Sequence, residues 1–342
     1  MNNRRVIQKQ RLKFTEIAKD VFAAISPYRG VSWANAAFIN RGEGLVYDTF
    51  FDLFHAQEMK DVYSELSGRQ NPAYVVNSHY NSDHTWGNGV FKDSCIIMHK
   101  NAVQERFTEN IEWYDALIKR GKNSLESSVG ERYFAAQFEG FDLTGVEWIE
   151  PDIQIHNDIE ICLGDTAVEI LSVAPSHSNS DVLLWMPEDR VLFAGDVVFG
   201  GCTAYSEAGV YNWVKVLDRI INEIKPKVVV PGHGAICDIS FVKEQRDYLM
   251  NVLDGIDKFY TDDISAIELS KKIDISKYLH WIQPERILLS VEAVLKGKRG
   301  EQPVVDWNNI PKQLDEVRRY LSQKYEGMIK KWNPMSSWDS RL

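Results

Sequence analysis

The stretch "VVNSHYNSDHTWGNG", Val75 to Gly89, decides how the rest of the chain is understood. His79, Asp83 and His84 stand at the spacing of metal ligands, and Asn81 occupies the place where a third imidazole would complete the set. Imidazole and carboxylate are donors that Zn²⁺, Fe²⁺ and Mn²⁺ accept. The run before it, "PAYVVNS", is short and rich in β-branched residues, so it predicts a buried strand with the polar loop at its C-terminal end.

Working outward, the N-terminal half alternates strand and turn signals. "DVFAAISP" and "ANAAFINRGEGLVYDTF" are apolar runs, the second with "RGEG" as a hairpin turn. "HAQEMKDVYSELSG" is amphipathic and ends in Gly, which predicts a helix. "CIIMHK" follows as a strand. Residues 101–140 change character. The spacing of Val103, Phe107, Ile111, Tyr114, Leu117 and Ile118 predicts a helix capped by Asn101, inserted between two halves of the sheet structure. Its aromatic residues Phe107, Trp113 and Tyr114 are expected to pack. Strands resume with "IQIHNDIEICLG", "TAVEILSVAPSH" and "DVLLWMPEDRVLFAGDVVF". "YNWVKVLDRIINEIKP" predicts a helix stopped by Pro226, and "KVVVPGHG" a further strand. Beyond Ser240 the pattern is helical, with a connector over Gly297–Asn309. The expected units are therefore 1–239 and a helical C-terminal extension, 240–342.

Bulk composition narrows the function classes. The net charge is −10, so the chain lacks the clustered basic residues that a nucleic-acid backbone or an anionic membrane surface requires. No apolar stretch is long enough to span a bilayer, and the charged N-terminus "MNNRRVIQKQRLKF" lacks an apolar signal core. Cys95, Cys162, Cys202 and Cys237 are scattered, which points to a reducing cytoplasm rather than a disulfide framework. Cys202, six residues past Asp196, is expected to be an ordinary loop thiol.

Four times a polar cluster follows a hydrophobic strand: Ser78–Asn88, Ser176–Asp181, Asp196 and Gly232–Gly234. Strand ends hold reactive groups in register. The joint set is His79, Asp83, His84, His177, Asp196 and His233. His55, His99, His156 and His280 have no comparable setting.

With these residues on the page, the chain resembles the metallo-β-lactamase superfamily over about Phe14 to Cys237. "HYNSDH" is similar to its H-x-H-x-D-H motif in every letter but one. Asp48 in "LVYDTF", His177 in "APSHSNSD", Asp196 in "LFAGDVVF" and His233 in "VVPGHG" resemble its other motifs, in order. The resemblance implies an α/β fold, a four-layer αββα sandwich with a metal centre along one sheet edge. It implies a first site of His79, position 81 and His177. A second site would take Asp83, His84 and His233, with Asp196 bridging the two. Asp48 would fix the ligand loop by hydrogen bonds, and Asp83 would orient or deprotonate the attacking water.

The odd letter leaves three outcomes open for the metal. Asn81 still ligates through its amide oxygen in a loose first site; or only the second site fills; or metal sits on His79, His177 and Asp196 alone, a two-histidine, one-carboxylate triad as in iron oxygenases. The expected function is metal-dependent hydrolysis of an ester, thioester, lactone or amide, with one or two Zn²⁺ per chain and Fe or Mn as substitutes. The alternatives are an iron-dependent persulfide dioxygenase-like enzyme and a non-catalytic metal-binding protein. A small-molecule substrate is expected, with a homodimer as a further expectation. The segment "KYLHWIQPERILLSVEAVLKG" is expected to close over the site. Pro303 to Leu342 is left to pack on the core or to form the dimer contact.

Overall fold

The computed structural model describes residues 5–27, 30, 32–121, 124, 127–301, 305 and 309–329. Strands β1 (Val6–Gln8), β2 (Lys13–Ala18), β3 (Val21–Ile25), β4 (Ala36–Ile39), β5 (Leu45–Tyr47), β6 (Tyr74–Val76), β7 (Cys95–His99) and β8 (Ile153–Ile155) form one sheet in chain order. It is antiparallel to β5 and parallel from β5 to β8. Strands β9 (Ile159–Leu163), β10 (Thr166–Ser172), β11 (Val182–Met186), β12 (Val191–Gly200) and β13 (Val228–Gly234) form the second, in the order β13-β12-β11-β10-β9.

Parallel neighbours need crossover connections, and helices supply them. Leu53–Ser67 links β5 to β6. Asp52 caps it by accepting from the His55 N–H at 2.9 Å, and Gly68, at φ 70°, ends it in the left-handed conformation. Its buried Ala56, Met59, Val62 and Tyr63 fall at helical spacing and meet Phe22, Phe38, Val46 and Val75 on the outer face of the first sheet. The opposite face carries Ala37, Leu45, Tyr47, Val76 and Ile97, which pack against Ile170, Leu184, Phe193 and Val230 of the second sheet. The outer face of that sheet is covered by the helices Val210–Arg219, Ile239–Phe259 and Ile287–Lys298. The period-2 alternation of the strands thus divides their apolar residues among the layers of a helix–sheet–sheet–helix sandwich.

The region 101–140 departs from the single helix expected. The Asn101 backbone is already helical and its side chain makes no cap. Helix Ala102–Glu105 and the turn Arg106–Thr108 stop at Glu109, whose backbone is extended. A second helix, Ile111–Arg120, starts because the Asn110 side chain accepts from the Trp113 N–H at 2.8 Å. The insertion joins β7 to β8, adjacent strands of one sheet, rather than separating two sheet halves. Tyr114 is buried with Phe51, Trp86, Phe134 and Phe138, whereas Phe107 is exposed.

Ile310, Leu314, Val317 and Leu321 of the helix Ile310–Lys324 bury in the same apolar core as the second sheet. The segments 302–304, 306–308 and 330–342 lie outside the described residues. Among those described, no helix is long and apolar enough to cross a membrane.

Candidate metal centre

Every ligand candidate lies at one end of the two sheets. Asp48 follows β5 and His79 follows β6; Ser82–Thr85 is a single helical turn that carries Asp83 and His84. Gly87 closes this loop against Thr49, where any Cβ would run into the Thr49 carbonyl. His177 sits between β10 and β11. Asp196 and His233 were expected in loops but belong to β12 and β13, where the pairing register shifts between Phe193 and Phe199. The shift surrounds Gly195, at φ 48°, and turns Asp196 toward the centre without ending the strand.

The four imidazoles are fully buried. Each is held through Nδ1. His84 Nδ1 is 2.8 Å from Asp48 Oδ2, His177 Nδ1 is 2.8 Å from the Tyr205 carbonyl, and His233 Nδ1 is 3.1 Å from the Trp33 carbonyl. Ser78 Oγ donates to Asp48 Oδ2 at 2.8 Å, so its lone pair faces His79 Nδ1, also at 2.8 Å. Carbonyl, carboxylate and this hydroxyl all accept. Nδ1 therefore carries the proton in each ring, and a neutral ring presents a bare Nε2 lone pair.

Those Nε2 atoms converge on the carboxylates. Asp196 Oδ1 is 3.3 Å from His84 Nε2; its Oδ2 is 3.2 Å from His233 Nε2 and 3.6 Å from His177 Nε2. Asp83 Oδ2 is 3.3 Å from His233 Nε2 and 3.7 Å from His84 Nε2. Ligands about 2.0–2.1 Å from a tetrahedral ion are separated by roughly 3.3–3.4 Å, so these spacings suit Zn²⁺. The Nε2 atoms of His79, His84 and His177, with Asp196 Oδ1, are buried without hydrogen-bond partners. That is costly unless something else occupies them. A metal fits this donor set.

The two halves differ in closeness. Asp83, His84 and His233 gather with all donor atoms within 4.8 Å of one another, and so do His79, His84 and Asp196. His177 approaches the group through Asp196. Electrostatics follow from the same geometry. Burial pulls His84 down, but Asp83, Asp48 and Asp196 outweigh it and hold its pKa well above the usual imidazole range. His79, governed by burial and the neighbouring His84, lies well below that range. Burial raises Asp196, but His233 and His84 reverse this and hold it well below the usual carboxylate range.

Asn81 is buried, and its amide nitrogen is engaged by two acids. Its Nδ2 donates to Glu109 Oε1 at 3.2 Å and Glu207 Oε2 at 3.5 Å, while Oδ1 has no partner. Tyr80 donates its hydroxyl to Glu207 Oε2 at 2.7 Å. Burial and then the charge of Glu207 push the Glu109 carboxyl up to about 8.

Residues outside the motifs build the frame. Asn35 Nδ2 donates to the carbonyls of Pro231 and Gly234, at 3.0 and 2.9 Å, pinning the backbone around His233. Asp181 accepts from Ser176 and Ser178 and shapes the turn that carries His177. The backbone N–H of Glu207 donates to the His177 carbonyl at 2.7 Å. Asn35, Glu109 and Glu207 lie in loops between elements and carry no local signal.

The remaining histidines lie elsewhere in their bonding. His55 Nδ1 pairs with buried Asp52 at 2.7 Å, and His280 pairs with Glu244 at 2.9 Å. Cys202 is buried in the outer core, paired through its backbone with Ile282. The tail segment expected over the site packs against the loop bearing Tyr205 and Glu207. There the Arg286 guanidinium lies 4.9 Å from the Tyr205 ring centroid, and Ser290 Oγ accepts from the Ser206 N–H at 3.2 Å.

Gly232 lies so close to Asp196 that a Cβ would collide with its Oδ1 and with the Gly195 backbone. Gly232→Ala is therefore expected to displace Asp196. The chain should lose about 1–3 kcal/mol of stability by urea unfolding, and metal affinity should fall with it in a competitive chelator titration.

The chain belongs to the metallo-beta-lactamase superfamily, whose family model matches residues 30–233. Among curated proteins it is 23% identical over 188 residues to the human (Homo sapiens) acyl-coenzyme A thioesterase MBLAC2, covering 53% of this chain and 63% of that protein. It is 25% identical over 181 residues to the metallo-beta-lactamase type 2 of Bacillus sp. (strain 170), covering 49% of this chain and 66% of that one. With the Caenorhabditis elegans beta-lactamase-like protein 2 homolog, 24% identical over 104 residues, the match covers 30% of this chain and 34% of that protein. The chain thus spans from about a third to about two thirds of the curated relatives it matches. Among solved structures, the sec-alkylsulfatase Pisa1 from Pseudomonas sp. superposes with a TM-score of 0.60 at 14% identity, covering 76% of this chain and 45% of that one. A metallo-beta-lactamase from Pontibacter korlensis gives 0.51 at 19% identity, covering 70% and 100%. These likenesses show the fold.

Proposed function

We propose that this chain is a metal-dependent hydrolase of an ester, thioester, lactone or amide. The observation that supports it most is the set of four buried imidazoles, each tethered at Nδ1, of which His84, His177 and His233 bring Nε2 to 3.2–3.7 Å from Asp83 or Asp196 while His79 joins His84 and Asp196 within 4.8 Å. Asp83, His84 and His233 would hold one ion. His79, His177 and the free Oδ1 of Asn81 would hold the other, with Asp196 between them. Bound zinc supplies a Lewis acid that polarises a carbonyl and makes hydroxide available near neutral pH. Asp83 is the candidate to orient the attacking water and take its proton, since it lies at the less buried side of the centre. Asp48 keeps His84 aligned, and Ser78 relays that constraint to His79.

The test is protein purified without added metal, assayed for metal content and against chromogenic esters, thioesters, lactones and lactams. One or two zinc per chain and chelator-sensitive turnover support hydrolysis. Iron with oxygen uptake on a persulfide would replace this reading with the dioxygenase-like one. Metal binding without turnover on any of these, with any supplied ion, would leave a binding protein.

Position 81 can be tested separately. Asn81→His is expected to raise zinc per chain toward two, because a neutral imidazole is the better zinc donor. No rise in content would mean that Glu109 and Glu207 hold the new ring away from the ion, or that the first half is already full.

A further inference from the structure

We infer that Glu109 and Glu207, on either side of Asn81, form an acidic subsite at the mouth of the metal centre that binds a positively charged ammonium group of the substrate. The inference rests on the hydrolase reading for the word substrate, but the subsite can be measured without turnover.

The placement comes from burial. The imidazoles of His84 and His177 are wholly enclosed, whereas Asp83, Asn81 and Glu207 keep 6–7% of their surface exposed. Solvent, and hence substrate, reaches the centre from the side of Asn81. Glu109 follows the exposed Phe107 and Thr108 in the chain and is itself half-buried.

The donors already present leave the carboxylates half satisfied. Glu207 Oε2 takes the Tyr80 hydroxyl and the Asn81 amide, and Glu109 Oε1 takes the same amide. Among the described residues, Glu207 Oε1 and Glu109 Oε2 are buried without hydrogen-bond partners. Asn81, which bridges the pair through its amide nitrogen, is itself more than nine-tenths buried. Neither glutamate forms an ion pair with Lys, Arg or His among the described residues. With no Lys or Arg beside them among the described residues, the two acids are costly to ionise together, which is why the Glu109 carboxyl is pushed up to about 8; a bound cation would offset that cost.

An ammonium group suits them. It is donor-only, with three N–H bonds to place on acceptor oxygens. Tyr80 touches Glu207 through its hydroxyl, and the Tyr80, Tyr114 and Tyr205 hydroxyls are all raised by burial and in part by the Glu207 charge, so no aromatic hydroxyl offers the pair a counter-charge. A further metal ion suits them less. Neither glutamate joins two other His, Cys, Asp or Glu residues with donor atoms within 4.8 Å. The same acidity disfavours a polyanionic substrate, so the coenzyme A thioester acted on by a distant relative is a poor fit here.

The probes are n-butylammonium and 1-butanol, titrated by calorimetry into the zinc-loaded full chain. Butylammonium is expected to bind about tenfold more tightly. That advantage should shrink to less than about threefold in Glu207→Gln and in Glu109→Gln. Equal binding of the two probes by the unaltered protein overturns the subsite, whatever the variants do. So does a loss of bound zinc in Glu207→Gln as isolated, which would make the glutamate a metal ligand instead. A matched pair of p-nitrophenyl esters, one ending in an ammonium and one in a methyl group, adds the kinetic arm. A higher kcat/KM for the charged ester, lost in the two variants, supports the subsite. Selective butylammonium binding with neither ester cleaved keeps the subsite and removes the hydrolase reading.

Discussion

Asp196→Ala is expected to empty at least one metal position per chain and to reduce turnover below about one hundredth of the unaltered rate. The scale follows from what removal of a supporting residue around a metal already does, about 10–100-fold. Asp196 is no supporting residue. Its two oxygens meet His84 on one side and His233 and His177 on the other, at 3.2–3.6 Å. Both halves of the centre therefore lose the donor they share, and among the described residues the Nε2 atoms keep only Asp83 as a carboxylate within 4 Å. Metal content by elemental analysis and kcat/KM on a cleaved ester are the two measurements. An Asp196→Ala protein that retains full zinc and more than about a tenth of its activity would contradict the bridging role.

Asp48→Ala is expected to cost about 3–5 kcal/mol of stability in the metal-free protein, the usual penalty for removing one partner of a buried charged pair. Asp48 is wholly buried and accepts from the Ser78 N–H at 2.7 Å, from Ser78 Oγ at 2.8 Å and from His84 Nδ1 at 2.8 Å. Alanine leaves all three donors facing an apolar methyl. The backbone adds to the cost, since Asp48 sits at φ 60°, where Asp and Asn are tolerated better than Ala. Asp48→Asn keeps the shape and part of the hydrogen bonding. It should lose less stability yet still bind metal about 10–100-fold more weakly, because a neutral amide no longer orients His84. Urea unfolding with chelator separates the structural cost from the metal cost. A loss below about 1 kcal/mol for Asp48→Ala would show that water replaces the carboxylate in this loop.

Much of the frame was legible before any coordinates. The short β-branched run before Ser78 was legible as a buried strand, and the structure then places Val75 on the helix side and Val76 between the sheets. The helix Leu53–Ser67 announced itself by spacing and by the glycine at its end. The insertion was less transparent. Asn101 and Asn110 are equally good capping residues in a linear string, and only the geometry shows that Asn110 closes onto Trp113. Asp196 and His233 looked like loop residues because Gly and Pro surround them, yet the paired strands β12 and β13 absorb them by slipping register.

The sequence by itself determined the chemistry on offer: histidine and aspartate at fixed spacing after strands, which is local information that a motif can carry. It also determined that position 81 offers an amide in place of an imidazole. What that amide does was decided only by the tertiary structure. Glu109 and Glu207 lie 28 and 126 positions away in the chain, and the sheet scaffold brings both onto one side chain. Long-range proximity of this kind has no periodicity and no local pattern. It follows from how the insertion and the loop after β12 pack around the ends of two sheets. Asn81 thus stands in the ligand motif by sequence, while the fold binds its amide nitrogen to two acids and leaves its oxygen without a partner among the described residues.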